Sequence, residues 1–267
     1  MTGKLAILAG SGDLPAALAM AYEDAVCVVF DGVDAPMPRV DARHRFEAFG
    51  GFLDDLAARG VDRVVLAGGI GRPPLNPATF DPFMQKLAPR LLAALQGGDD
   101  ALARLVIDVF EGAGIAVVGA HDLLPELTAA PGALVGAEQS QQNRADCDRA
   151  NDILRALSPL DVGQGAVVAN GLALGIETQQ GTDAMLRFVA ATDASLRGKG
   201  GVLVKRPKAG QDLRVDMPAI GPDTVRAAAA AGLDGIVIAA RQVVLIDRTG
   251  LIAAAQEAGI FVFADEG

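Results

Sequence analysis

Two short apolar segments, each ending in a glycine-rich turn, constrain the fold of this chain more than any other feature. Residues 4–9 (KLAILA) lead into GSGDLP at 10–15, and residues 62–67 (DRVVLA) lead into GGIGRP at 68–73. A helical pattern follows each turn. Strands that alternate with helices predict a parallel sheet with helices on both faces. In open sheets of this kind the ligand lies at the carboxyl ends of the strands, where both turns stand.

The glycine turns have two interpretations. Their glycines would let the backbone approach an anionic ligand closely, with the turn amides pointing toward it, and Arg72 could add positive charge. A dinucleotide-binding fingerprint is incomplete, because Pro15 stands where its third glycine belongs. Tight turn geometry, with Asp13 as the N-cap of the first helix, explains the glycines nearly as well.

The second half of the chain follows another pattern. A joint rich in proline and glycine separates the halves, so we predict an N-terminal Rossmann-like α/β domain at 1–132 and a C-terminal α+β domain at 133–267. Two apolar runs joined by Asn170-Gly171 predict a β-hairpin, because both residues tolerate positive φ. Residues 235–247 predict a second hairpin. The fold class is therefore α/β, with a parallel sheet first and a mixed or antiparallel sheet second.

The composition excludes several classes of function. With a net charge of -10, the chain lacks the broad basic surface of a nucleic-acid-binding protein. Cys27 and Cys147 are too few and too far apart for a disulfide framework or a zinc site, and are typical of buried thiols in a reducing cytosol. The N-terminus lacks the apolar region of a signal peptide, and no apolar run reaches membrane-spanning length. We therefore expect a cytoplasmic protein with no nucleic-acid partner and no transmembrane segment.

A basic cluster interrupts this acidic background. From Arg197 to Arg214 the chain carries six basic residues and one acidic residue. Mutual repulsion within such a cluster predicts a negatively charged partner. Lys205, Lys208 and Arg214 would neutralise the charge of a diphosphate. A surface hairpin with a solvated run of charges is an equally good interpretation of this stretch.

The remaining chemistry points to carboxylates. His44 and His121 are the only histidines, which leaves no histidine-rich metal site and disfavours a serine or cysteine nucleophile with a histidine base. Carboxylates lie in turn-rich segments near the basic cluster: Glu177, Asp183, Asp212, Asp216 and Asp223. With substrate phosphates, such groups form the usual environment of Mg²⁺. These residues predict a two-domain enzyme acting on a phosphorylated substrate, although Thr182 or Asp183 also suits a helix N-cap.

Longer motifs of the sequence resemble those of a known protein family. The chain resembles the UDP-2,3-diacylglucosamine pyrophosphatases known as LpxI in LAGSGDLP (8–15), AGGIGRP (67–73), SPLDVGQGAVV (158–168), IETQQGTDAML (176–186) and GGVLVKRPKAGQDLRVDMPAIGPDTV (200–225). The similarity extends over essentially the whole chain, and the second half carries the more specific motifs.

This resemblance implies an activity and a set of site residues. It implies Mg²⁺-dependent hydrolysis of UDP-2,3-diacylglucosamine to UMP and 2,3-diacylglucosamine 1-phosphate (lipid X) in lipid A biosynthesis. It also implies a substrate bound between the two domains, a homodimer, and a peripheral relation to the inner membrane. Asp216, Asp212 and Lys205 are expected to be catalytic, and both aspartates to bind the metal. The expected substrate-binding residues are Gly10, Ser11, Gly12, Asp13, Gly68, Gly69, Ile70, Gln164, Gly181, Thr182, Asp183, Lys208 and Arg214.

The chain departs from the family pattern at one place, and two other functions are open to it. Where the family pattern has Glu-Ala-Gly, this chain reads Ala239, Ala240 and Arg241, which removes a carboxylate from that position. The glycine turns alternatively suggest a nucleotide-cofactor oxidoreductase. The basic cluster alternatively suggests a non-catalytic carrier of a nucleotide sugar or a lipid.

Overall fold

The described part of the chain, residues 3–71 and 74–266 of a computed structural model, forms two compact units. The N-terminal unit ends at Leu124 and also includes Arg214–Asp216. The C-terminal unit holds Pro125–Leu213 and continues from Met217. Each unit is built around a sheet of its own.

The sheet of the N-terminal unit consists of parallel strands. They are β1 (Lys4–Ala9), β2 (Val26–Phe30), β3 (Ala42–His44), β4 (Val61–Ala67) and β5 (Ala116–Val117), in the order β3-β2-β1-β4-β5. Every residue of β2 is buried, as expected for a strand covered on both faces. The chain reverses its direction of progress across the sheet between β1 and β4. The carboxyl ends of these two strands are therefore the topological switch point.

Helices and aromatic side chains complete this unit. The helices are α1 (Leu14–Ala21), α2 (Phe49–Ala58), α3 (Pro82–Gln96), α4 (Asp99–Gly112) and α5 (Ala120–Leu123). Phe52 on α2 lies edge-on to Phe30 of β2 and to Phe110 of α4, with ring centroids 5.0 and 6.1 Å apart. All three rings are buried, so they join α2 and α4 to one face of the sheet.

The C-terminal unit contains a mixed sheet. Its strands are β6 (Gly132–Val135), β7 (Gly165–Ala169), β8 (Leu172–Ile176), β9 (Val202–Lys205), β11 (Gly235–Ala239) and β13 (Phe261–Asp265), in the order β6-β13-β11-β9-β7-β8. The central strands β9, β11 and β13 run parallel, and β6, β7 and β8 pair antiparallel with their neighbours. A separate parallel pair is formed by β10 (Ala219–Ile220) and β12 (Val244–Leu245). The helices are α6 (Gln141–Leu157), α7 (Thr182–Ala191), α8 (Ala194–Arg197), α9 (Pro222–Ala230) and α10 (Arg248–Ala258).

The hairpin predicted at Asn170-Gly171 is confirmed. Both residues have positive φ, 52° and 79°, as a two-residue hairpin turn requires. Fully buried Asp146 on α6 accepts hydrogen bonds from the backbone N–H groups of Asn170 and Gly171, at 2.9 and 2.7 Å. The turn is therefore fixed to α6 by one carboxylate.

Two other predictions for this unit are wrong. Residues 235–247 do not form a hairpin, because β11 is a buried central strand that pairs in parallel with β9 and β13, while β12 pairs with β10. The stretch after Lys199 is not a surface hairpin, because β9 pairs with β7 and β11. In both cases a strand from elsewhere in the chain takes the place of the sequence neighbour. The predicted fold class, a parallel α/β domain followed by a domain with a mixed sheet, is confirmed.

Candidate functional site

The switch point of the N-terminal sheet brings the two glycine turns together. Ser11 N donates to Gly69 O at 2.9 Å, and Gly69 N donates to Ser11 O at 3.1 Å. The Ser11 hydroxyl also donates to Gly69 O at 3.1 Å. The two turns are thus hydrogen-bonded to each other directly beyond the carboxyl ends of β1 and β4.

This close approach explains why two of the turn positions, 10 and 68, are glycine. A Cβ atom at Gly10 would lie 2.6 Å from Gly69 O, and one at Gly68, where φ is +83°, would lie 2.2 Å from Ser11 O. Gly12 differs, because its φ of +88° is equally unusual but a Cβ atom there would meet only open space. Asp13 occupies the N-cap position of α1 without making a side-chain capping hydrogen bond. Gly12, Gly68 and Gly69 are exposed, so backbone without side chains is accessible at these three positions beside the start of α1.

The matching edge of the C-terminal sheet is built from buried polar side chains. Lys205 is the last residue of β9, and only 6% of its surface is exposed. Its Nζ lies 3.2 Å from Oε1 of Glu177, which follows β8 directly. Nζ also donates to the hydroxyl of Thr182, the first residue of α7, and that hydroxyl donates to Glu177 Oε1 at 2.7 Å. We call Lys205, Glu177 and Thr182 the buried triad.

The glycine at the start of β7 makes room for this triad. Gly165 pairs with Lys205 across β7 and β9, and its carbonyl accepts a hydrogen bond from Glu177 N at 2.8 Å. A Cβ atom at position 165 would lie 2.7 Å from Oε2 of Glu177. The carboxylate of Glu177 can therefore cross β7 to reach Lys205 only because position 165 has no side chain.

Other cations of the basic cluster are paired with carboxylates of the chain. The pairs are Arg206 with Asp265 (2.7 Å), Lys208 with Asp161, and, within the N-terminal unit, Arg214 with Glu111 (2.7 Å). The negative charge that the cluster requires is thus supplied in part by the protein itself.

The two cysteines are buried and unreactive in character. Cys147 on α6 lies 3.6 Å from Oδ2 of Asp265. Burial, and next the negative charge of Asp265, raise the pKa of the Cys147 thiol to about 12. Burial likewise raises the pKa of Cys27. A thiolate nucleophile is therefore disfavoured at both positions at neutral pH, as expected from the sequence.

The predicted metal-binding carboxylates flank a turn. Asp212 and Asp216 stand on either side of the turn at 213–215, and both are half-buried. Within residues 3–71 and 74–266, no group of three or more His, Cys, Asp or Glu side chains is arranged to hold a metal ion. Mg²⁺ commonly takes one or two protein carboxylates and completes its shell with water and substrate phosphates. The roles of Asp212 and Asp216 as metal ligands stay predictions.

Comparison with known proteins decides the family. The LpxI N-terminal domain matches residues 4–127, and the LpxI C-terminal domain matches residues 130–263. The chain is also 41% identical over 269 residues to the UDP-2,3-diacylglucosamine pyrophosphatase LpxI of Caulobacter vibrioides. That alignment covers 97% of this chain and 96% of the relative. The chain belongs to the LpxI family. The resemblance inferred from the motifs is thereby confirmed.

Within this LpxI chain, the predicted site residues fall into separate groups. The seven residues predicted from the glycine turns gather at the N-terminal switch point: Gly10, Ser11, Gly12, Asp13, Gly68, Gly69 and Ile70. Lys205 and Thr182 gather in the buried triad, and Gln164 lies beside it, since its carbonyl accepts from Arg206 N at 2.9 Å. Lys208 pairs with Asp161 instead. Arg72 lies outside the described residues.

The start of α7 corrects one sequence interpretation. Neither Thr182 nor Asp183 is the N-cap, because Gly181, with a φ of 85°, takes that position. Thr182 is turned toward Glu177 and Lys205, and Asp183 is exposed on the first turn of α7. Asp223 is likewise exposed, on the first turn of α9, where it pairs with Arg226.

Glu177 was predicted to be a carboxylate near the basic cluster, but it was not among the predicted site residues. Its partner Lys205 is 28 residues away in the chain, and no local pattern reports that contact. The available signal was indirect: Glu177 directly follows the second strand of the predicted hairpin, whose first strand begins with glycine.

The described helices show no membrane-crossing candidate. In the ranges 3–71 and 74–266, no helix combines the length and the apolar character that crossing a bilayer needs.

Proposed function

We propose that this chain hydrolyses the diphosphate of UDP-2,3-diacylglucosamine to UMP and 2,3-diacylglucosamine 1-phosphate, with Mg²⁺. The observation that carries the proposal is the 41% identity, over nearly the full length of both chains, to a relative whose name states that substrate. The buried triad and the two hydrogen-bonded glycine turns support it, because both stand at carboxyl ends of parallel strands, where α/β proteins bind ligands.

The reaction is a simple exchange at phosphorus. The oxygen of a water molecule bonds to one phosphorus, the P–O bond of the diphosphate bridge breaks, and two phosphomonoesters leave while the protons of the water pass to solvent or to the new phosphate groups. Negative charge grows on the phosphoryl oxygens during this step, so positioned cations and N–H donors contribute most of the acceleration.

Named residues of this chain divide that work. Asp212 and Asp216 would hold Mg²⁺, which withdraws charge from the diphosphate when bound. Asp216, alternatively, positions the attacking water. The exposed backbone at Gly12 and Gly69 contacts the substrate in the N-terminal unit. Lys205 supplies positive charge, and its contacts with Glu177 and Thr182 fix the orientation of its ammonium group.

The test is the release of UMP from UDP-2,3-diacylglucosamine. We expect turnover with Mg²⁺, loss of at least about 100-fold in excess chelator, and recovery when Mg²⁺ is restored. If no UMP appears with Mg²⁺ present, the proposed hydrolysis is wrong. Full activity in the chelator would remove only the metal from the proposal.

The same preparation separates the alternatives. A carrier would bind the substrate stoichiometrically and release no product over a long incubation. An oxidoreductase would bind reduced nicotinamide nucleotides tightly in a fluorescence titration. Three expectations stay predictions: a substrate between the two domains, a homodimer, and a peripheral relation to the inner membrane.

A further inference from the structure

We propose that Glu177 is a positioning residue, which aligns the ammonium group of Lys205 and the hydroxyl of Thr182 and affects turnover through Lys205. The proposal rests on the proposed function, because that function gives Lys205 its task at the diphosphate. It adds a residue that touches no substrate in this account.

The contacts of the ammonium group carry the argument. A lysine ammonium has three N–H bonds in a tetrahedral arrangement. One is directed at Glu177 Oε1, 3.2 Å away, and another at the Thr182 hydroxyl. Because Thr182 itself donates to Glu177 Oε1, the carboxylate fixes both acceptors. With two N–H bonds held, the direction of the third is fixed as well.

Stability gives a poor explanation of this arrangement. All three residues of the buried triad are less than 10% exposed, and removing two charges from water costs much of what their attraction returns. Oε2 of Glu177 is also buried, with no hydrogen-bond partner in the described part of the chain. A buried polar atom without a partner is destabilising. A sequence selected for stability alone would place an apolar side chain here.

Asp146 in the same unit shows how a structural carboxylate is treated. Both of its oxygens accept hydrogen bonds, one from Asn170 N and the other from Gly171 N and the Gln142 side chain. No cation is paired with it among the described residues. Glu177 instead shares one oxygen between Lys205 and Thr182 and leaves the other without a partner. The two buried carboxylates therefore have different roles: Asp146 holds a backbone turn, and Glu177 orients Lys205.

Gly165 offers a way to move this carboxylate without deleting it. An alanine there would place its Cβ atom 2.7 Å from Glu177 Oε2. That oxygen is the end of a flexible side chain, and the φ of Gly165 is ordinary, so the protein can fold by shifting the carboxylate. Gly51 on α2 is the control for an added Cβ atom, because it is exposed, its φ is ordinary, and a Cβ atom there would meet nothing within 4 Å.

The experiment is a double-mutant cycle on turnover with UDP-2,3-diacylglucosamine and Mg²⁺. It compares Glu177→Gln, Gly165→Ala, Lys205→Met and the two pairwise combinations with Lys205→Met. We expect Glu177→Gln and Gly165→Ala each to lower kcat about 10- to 100-fold, as loss of an orienting partner does, with KM changed less than about 3-fold. In the Lys205→Met background neither change should lower kcat further. Gly51→Ala should keep kcat within about 2-fold of the wild type.

The outcomes are distinguishable from failure of the proposed function. If Lys205→Met leaves kcat unchanged, Lys205 has no task at the diphosphate, and this inference falls with it. If Lys205→Met lowers kcat, and adding Glu177→Gln or Gly165→Ala lowers kcat further, Glu177 does not act through Lys205. Only the inference is then overturned. The inference is also overturned if Glu177→Gln lowers the urea midpoint of unfolding while Gly165→Ala keeps the kcat of the wild type. Glu177 would then serve stability only.

Discussion

The carboxyl edges of the two sheets are built differently: one consists mainly of backbone and the other of buried side chains. In the N-terminal unit the edge is backbone: Ser11 and Gly69 pair through their amides and carbonyls, and Gly12 faces open space. In the C-terminal unit the edge is a set of side chains, with Lys205 and Glu177 both less than 10% exposed. The first edge depends on side chains that are missing, and the second on charges that are buried.

This difference teaches where each edge is vulnerable. Where two turns touch through backbone, one added carbon atom separates them. Where charges are buried, loss of one partner leaves the other without compensation. Asp146 is a buried carboxylate whose partners are mostly backbone amides. The stability lost when it is replaced can be compared with the losses at the two edges.

The largest stability effect is expected at Asp146. Asp146→Ala removes the acceptor for the N–H groups of Asn170 and Gly171, so the free energy of unfolding should fall by about 3 kcal/mol. Asp146→Asn keeps one acceptor oxygen and should lose about 1 kcal/mol. Urea unfolding measures both. Asp148→Ala, at an exposed position on the same helix, is the control and should stay within about 0.5 kcal/mol. Equal stability of Asp146→Ala and the control would contradict the role given to this carboxylate.

A matched pair of glycines tests the backbone edge. Gly68 and Gly12 have similar φ, +83° and +88°, but only at Gly68 would a Cβ atom collide with backbone. Gly12→Ala should therefore cost about 1 kcal/mol for its conformation alone, and Gly68→Ala more than about 2 kcal/mol. The midpoints of urea unfolding give the comparison. Equal losses would show that the two turns are not held in contact as described.

An effect that is absent at neutral pH and appears only above about pH 9 is expected at Cys147. The folded thiol keeps its proton up to a pKa of about 12, whereas the unfolded thiol loses it near its usual value of 9.0. Between these values the unfolded chain binds fewer protons, so stability falls as pH rises, by at most about 1.4 kcal/mol per pH unit. Cys147→Ala removes this contribution. Urea midpoints of both proteins at pH 8, 9.5 and 10.5 should converge as pH rises, and parallel curves would contradict the prediction.

The sequence predicted the backbone edge well because its signals are local. Strand, glycine turn and helix stand next to each other at 4–22, and each step has its own pattern. The hairpin at Asn170-Gly171 was equally accessible, because two positive φ angles leave a two-residue signature.

The side-chain edge and the parallel pairings were less accessible because they join distant segments. Glu177 meets Lys205 across 28 residues, and β12 pairs with β10 rather than with its neighbour β11. Apolar runs predict that β11 and β12 are strands but not which strands they join. The carboxylate partners of Arg206, Lys208 and Arg214 were hidden for the same reason.

Turnover of Asp216→Ala tests the central claim most directly, namely that the carboxylates at Asp212 and Asp216 serve the hydrolysis of a diphosphate. The matched control is Asp152→Ala, an exposed aspartate paired with Arg155 on α6. We predict that UMP release from UDP-2,3-diacylglucosamine falls at least about 100-fold in Asp216→Ala while substrate binding is largely retained, and that the control stays within about 2-fold of the wild type. Wild-type turnover in Asp216→Ala would contradict the account.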